Sequence, residues 1–282
     1  MDRTPPARTL GGQPVVLEIV ERGSSSERRT TTDDAGRFAF AGLPVGGMRV
    51  FLLRVTYGGV PYETRVVLTP DAPARTVQMA VYEPTRDRAI IRGAVLFAVV
   101  ETGRGALRIS VVQRLVNPTD RAVVVTGDDP LVFPLPPGAE AVEFIGGWRD
   151  PRTADGAITD PIPVPPGLLQ VGYSFGLEPR TRRFTVPWLL PYGAADVEML
   201  VADPAVRLSG PGFRAAPEIV DAGRRFSRWS AGPVAAGGRL TITLDGAPAS
   251  DDRWPVGAAA LLAAMLAVGL AVTLSRRPPA PA

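Results

Sequence analysis

From residue 10 to residue 246 the chain shows no helical periodicity. Its apolar residues fall in short runs, several alternating with polar ones, each cut off by glycine, proline, aspartate or serine. Such a chain folds as strands and turns, and its 30 Gly and 30 Pro supply the turns. In the first third the runs are PVVLEIVER (14–22), RRTTT (28–32), RFAFAGL (37–43), MRVFLLRVTY (48–57), VPYETRVVLT (60–69) and TVQMAVYE (76–83). Val15, Leu17 and Ile19, and likewise Val50 and Leu52, recur at period two, which predicts strands with one face in a core. Turns are expected at GSSS (23–26), DDAG (33–36) and PVGG (44–47).

A charged, proline-bearing linker at 84–88 leads into a longer β region, 89–247. There AIIRGAVLFAVVE (89–101) and ALRISVVQRLVN (106–117), joined by TGRG (102–105), read as a hairpin. Further strands are expected at 122–126, 141–145, 168–177, 182–190, 196–201 and 240–244. Strand runs without helical stretches predict one larger antiparallel sandwich, with two smaller ones as the alternative. The fold class is therefore all-β.

The stretch TTTDDAGRFAFAGLPVGG (30–47) carries Thr32, Asp33, Gly36, Phe38, Phe40, Leu43, Pro44 and Gly46 as a Thr-Asp turn, its glycine, two inward aromatics and a Leu-Pro-x-Gly turn. With GQPVVLEI upstream (12–19), it resembles the carboxypeptidase regulatory-like domain over residues 10–83. The resemblance implies a seven-stranded, transthyretin-like β-sandwich. It also implies an accessory module without catalytic residues of its own. Members of that family carry a strand before the GxPV run, whereas here only MDRTPPAR stands there, so the N-terminus is expected to be incomplete.

Val256 to Leu274 reads VGAAALLAAMLAVGLAVTL, uncharged throughout and long enough as a helix to span about 30 Å of hydrocarbon. Trp254 stands at one interface and Arg276 and Arg277 at the other, so residues 255–275 are predicted to be a single transmembrane helix. A juxtamembrane linker (248–254) precedes it and a short tail (276–282) follows. The arginine bias puts the tail in the cytoplasm and the rest outside the plasma membrane, as in a bacterial cell-envelope protein. Export requires a signal peptide, and residues 1–9, a disordered or truncated N-terminus, contain none, so the signal is expected to be missing from this sequence. The competing topology is a tail-anchored protein facing the cytosol. Small residues four apart, such as Ala263, Ala267 and Ala271, allow weak helix–helix self-association.

Composition removes most catalytic chemistry. The chain has no His and no Cys, and all 31 residues counted as Lys or Arg are Arg. Ser-His and Cys-His nucleophiles, Cys/His zinc sites, Schiff-base lysines and P-loop lysines are excluded. Carboxylate chemistry, an oxygen-ligated cation, or binding alone survives. A net charge of +3 with interspersed signs is not a nucleic-acid footprint.

The candidate residues are few. Asp150, Asp155 and Asp160 could ligate calcium, although aspartates before glycine or proline are first of all turn residues. The aromatics Trp148, Trp188 and Trp229, with Arg224, Arg225 and Arg228, could form a ligand surface for glycans or anionic polymer, although such residues are more often core or rim packing and charged strand edges. A second arginine cluster, Arg180, Arg182 and Arg183, reads the same way. No catalytic residue and no cofactor is assigned. The sequence thus predicts a non-enzymatic, membrane-anchored β-sandwich protein that binds a protein or glycan partner or serves as an accessory subunit of a membrane complex. The alternatives are a carboxylate-dependent glycan hydrolase and a purely structural stalk.

Overall fold

The computed structural model describes Arg3 and residues 8–47, 49–103, 106–221 and 223–247. In chain order the strands are β1 (Pro14–Glu21), β2 (Ser24–Thr31), β3 (Val50–Tyr57), β4 (Val60–Val66) and β5 (Pro84–Thr85), then, after one 3-10 turn (Arg88–Ile90), β6 (Arg92–Thr102), β7 (Leu107–Asn117) and β8 (Ala122–Val123). They continue with β9 (Leu131–Pro134), β10 (Glu140–Gly146), β11 (Arg152–Ala154), β12 (Ala157–Asp160) and β13 (Gly167–Leu177). The last are β14 (Arg183–Leu190), β15 (Asp196–Val201), β16 (Arg207–Ser209), β17 (Arg214–Asp221), β18 (Arg224–Ala231) and β19 (Gly238–Asp245). The described chain is all-β with sandwich-like sheets. Among the described residues no helix is long and apolar enough to cross a membrane; the predicted span 255–275 lies outside them, with Trp254, Arg276 and Arg277.

Two compact units emerge, each assembled from separate stretches of chain. One comprises the residues up to Ala94 with Arg114–Phe133 and Gly147–Gln170; the other comprises Val95–Gln113, Pro134–Gly146 and the chain from Val171 on. Residues 89–247, expected as one sandwich or two, contribute to both.

The first unit contains a four-stranded sheet ordered β2-β1-β3-β4. Antiparallel register sets Leu17 opposite Leu53 and Ile19 opposite Phe51, so one face is continuously apolar. Val15, Leu17, Ile19, Phe51, Leu53 and Val55 are buried on it, and burying each contributes about 1.5–3 kcal/mol relative to exposure. The inward residues of β3 are Phe51, Leu53 and Val55 rather than Val50 and Leu52. With apolar side chains on both parities of that strand, pairing with β1 decides the face. The outer face carries an ionic row in which Arg54 reaches Glu18 and Glu63, each at 2.7 Å. The β1–β2 turn is Arg22-Gly23, with Gly23 at φ +79°, and Ser24–Ser26 belong to β2 rather than to a turn.

Two expected strands, 37–43 and 76–83, join none of the sheets, although Val81 sits in a single bridge and its carbonyl accepts the Arg3 N–H at 2.8 Å. Their apolar residues nevertheless pack on the core: Phe38, Phe40 and Leu43 from one, Val77, Met79 and Val81 from the other. The same unit holds the sheet β11-β12-β9 and the pair β5-β8. Its buried Asn117, the single Asn of the chain, donates to the Arg121 and Val164 carbonyls and accepts from Thr119, so none of its polar atoms is stranded.

The second unit contains a seven-stranded sheet, β10-β13-β7-β6-β15-β18-β17, and a three-stranded sheet, β14-β19-β16. Their inner faces meet where Trp188 of β14 sets its ring edge-on to Phe175 of β13, centroids 5.6 Å apart. Burial pushes the pKa of the neighbouring Tyr173 hydroxyl upward. The sandwich is not wholly antiparallel, because β6 and β15 pair in parallel, Val95 opposite Asp196. The long stretch of chain between them provides the crossover that a parallel pair requires, and strand composition carries no sign of it. The hairpin β17–β18 is absent from the sequence reading for a definite reason. Pro217 and a bulge between Ala216 and Ile219 break the alternation, and both are tolerated because β17 is an edge strand.

Candidate functional site

The predicted ligand surface does not form as a group. Trp188 is sealed in the core and donates Nε1–H to the Pro134 carbonyl at 2.9 Å, so it is a packing residue. Trp148 is half-buried and stands edge-on to Phe133 at 5.2 Å. Trp229 lies half-buried on β18 beside a cavity of about 190 Å³, and its Nε1 is buried without an acceptor. The three arginines of β18 are each matched: Arg224 to Glu101 at 2.9 Å, Arg225 to Glu218 at 2.9 Å and Arg228 to Glu198 at 2.8 Å. Arg224 also covers the Phe226 ring at 5.3 Å. Paired in this way, they are ionic covers over the sheet rather than open anion receptors. Arg180, Arg182 and Arg183 are exposed.

The three aspartates serve the backbone. Asp160 is fully buried and accepts the Arg149 N–H at 2.8 Å and the Asp150 N–H at 3.2 Å, pinning the loop that enters β11. Asp155 (φ +51°) and Gly156 (φ +71°) form the two-residue turn between β11 and β12, a conformation that an Asp-Gly pair readily adopts. The Asp150 carboxylate turns to Arg152 at 3.3 Å. Among the described residues no group of three acidic side chains could hold a metal ion.

The residues of the Thr-Asp turn have equally specific tasks. Thr32 Oγ1 donates to the Leu10 carbonyl at 2.6 Å and accepts the Gln13 N–H at 2.9 Å. Asp33 accepts from the Ala35 and Arg37 amides and from Arg37 Nε, and these bonds, chiefly the Arg37 amide, hold its pKa below the usual carboxylate value. At Gly36 (φ +71°) a Cβ would come within 3.1 Å of the Thr9 side chain, so the motif locks one turn against the segment before β1.

A site emerges where the sequence reading placed only core. A cavity of about 650 Å³ opens in the first unit, within the roughly 300–1,000 Å³ range of ligand pockets. Its floor is the apolar face of the sheet, including Leu17, Phe51 and Leu53, and its two sides are the unladdered segments 38–45 and 73–77. Every residue from Phe38 to Leu43 borders it, including the exposed Ala39 and Ala41, so backbone as well as side chains lines the space. Val45 and Arg75 are exposed at its margin. The signal for this site was present in the sequence as the runs 37–43 and 76–83, which read as strands.

No family model matches the chain, and no curated protein matches it. Among solved structures it is similar to a two-domain M1 zinc metallopeptidase bound to L-tryptophan, at 12% identity and a TM-score of 0.36. It is also similar to an M1 zinc metallopeptidase from Deinococcus radiodurans, at 12% identity and a TM-score of 0.35. Each likeness covers 55% of this chain, and the chain spans 42% of the length of each of those proteins.

Proposed function

We propose that the chain is a non-enzymatic, single-pass membrane protein whose β-sandwich ectodomain binds a protein or glycan partner or serves as an accessory subunit of a membrane complex. In this reading residues 10–83 are a carboxypeptidase regulatory-like sandwich, and residues 89–247, which contribute to both compact units, supply the larger sandwich. Residues 255–275 are the anchor, with the C-terminus in the cytoplasm. The observation that carries the binding function is the cavity of about 650 Å³ lined by segments 38–45 and 73–77, bordered by exposed residues at its margin. Support for a non-catalytic role comes from the carboxylates. Glu21, Glu63, Glu83, Glu101, Glu198 and Glu218 each sit 2.5–2.9 Å from an arginine, an arrangement that engages these acids in ion pairs. The regulatory-like assignment is supported by the turn geometry at Thr32, Asp33 and Gly36, which gives each motif residue a structural task.

The test uses the full chain in membranes, with a photo-crosslinking residue at Val45. The expected result is a chain that resists carbonate extraction and forms an adduct of defined mass. Release by carbonate overturns the anchored reading, and absence of an adduct overturns the binding reading.

A further inference from the structure

We infer that the cavity of the first unit takes up an extended polypeptide strand from a partner protein, one that alternates apolar and acidic residues and pairs by its backbone between segments 37–43 and 73–77. The inference rests on the binding role proposed above and names the partner's chemistry.

The first observation is backbone that has no ladder. Exposure alternates through Arg37, Phe38, Ala39, Phe40 and Ala41, with the two aromatics turned toward the core, as in a strand. The ends of this run are occupied. The Arg37 carbonyl accepts the Asp33 N–H at 2.9 Å, the Arg37 N–H goes to Asp33 Oδ1 at 2.7 Å, and the Ala41 carbonyl accepts from Arg28 at 2.8 Å. Between them, among the described residues, no backbone–backbone bond reaches Phe38, Ala39 or Phe40, and none reaches residues 73–77 on the far side of the cavity. Backbone donors and acceptors are obligatory hydrogen-bonding groups, and two such unladdered runs beside one space form a template for a strand.

The second observation is the floor. Leu17, Phe51, Leu53 and Leu68 present a buried apolar face beneath the space, with Phe38, Phe40 and Val77 at its sides. A strand lying there would set alternate side chains against this floor and the others toward solvent, which gives the partner its period of two. A lipid chain would fill the floor and leave the amides unmatched, so a polypeptide fits both features.

The third observation is charge. Among the described residues no carboxylate forms an ion pair with Arg75, which borders the cavity, or with Arg28, which bonds the Ala41 carbonyl of the lining segment. Acidic residues at the solvent-facing positions of an incoming strand complement these cations.

The experiment titrates the full chain in detergent micelles with a fluorescein-labelled peptide of about nine residues alternating valine and glutamate, followed by anisotropy. The expected result is saturable binding. It should weaken at least about tenfold when lysine replaces the glutamates, and to a similar degree when the central peptide amides are N-methylated, since N-methylation removes main-chain donors without removing side chains. Arg75→Glu should weaken the acidic peptide and strengthen the basic one. Equal binding of the N-methylated peptide overturns backbone pairing. Uptake of palmitate in place of every peptide reassigns the cavity to lipid and overturns the inference, as does absence of binding by any probe. A Val45 adduct in membranes with no peptide binding defeats the strand and leaves the broader binding role standing. Loss of both defeats the two together.

Discussion

Asp33 accepts the backbone N–H of Arg37 at 2.7 Å through one carboxylate oxygen and the Arg37 Nε at 3.0 Å through the other, so a single side chain both closes a turn and fixes the residue that opens the cavity wall. These bonds favour the ionised form, and the folded-state pKa lies below its ordinary value. A carboxylate depressed in this way contributes stability that is present above the unfolded-state pKa and is lost as pH falls through the folded-state pKa. Asp33→Asn keeps an oxygen for the amide and removes the charge. Its deficit in melting temperature should be largest at neutral pH and vanish in acid, where Asp33 is itself protonated. Parallel melting curves for the two proteins across that range would refute the assignment.

Among the described residues Trp188 is the largest fully buried side chain, and its indole N–H ends on the Pro134 carbonyl. Trp188→Ala should cost about 3–5 kcal/mol in denaturant unfolding, the range for large aromatic truncations. A cost below about 1 kcal/mol would return Trp188 to the surface role that its residue type suggests.

Asp160 uses both carboxylate oxygens on backbone N–H groups in a fully buried setting. Asp160→Ala strands both donors and should cost about 1–3 kcal/mol for each. Asp160→Asn should rescue little, because its amide nitrogen faces one of the same donors. Recovery of the full denaturation midpoint by Asn would show that one acceptor suffices.

Gly193 has φ +68°, and a Cβ there would lie 2.5 Å from the Val234 carbonyl oxygen and 2.8 Å from the Ala236 nitrogen. Gly193→Ala therefore combines an unfavourable backbone conformation with a clash against backbone, and a loss above about 1 kcal/mol is expected. Gly138→Ala, with φ +79° and open space around the new methyl, separates the two effects and should cost less. Equal melting temperatures for the two variants would remove the clash from the account.

Strands with one clear apolar parity were legible. β1 announces itself through Val15, Leu17 and Ile19, and β6 and β7 through long apolar runs. Where both parities are apolar, as in β3, the face waits on the partner strand. β17 was hidden because an edge strand tolerates the proline and bulge that erase its pattern. The candidate site was illegible for a related reason. Phe38, Phe40, Val77 and Met79 declare extended chain, yet whether an extended chain has a neighbour is a property of the pair, which neither segment encodes alone. Trp188 and Trp229 misled in the opposite direction, since residue type says aromatic and only packing says which side of the sheet.

The compact units interleave along the chain, and that has a temporal consequence during synthesis. The first unit draws on residues as late as Gln170, while the second already claims residues from Val95. A ribosome that has released only the N-terminal third has therefore released neither unit in full. The stretches Val95–Gln113 and Pro134–Gly146 leave the ribosome before the last stretch of the first unit, and wait for the chain from Val171 on to complete their own.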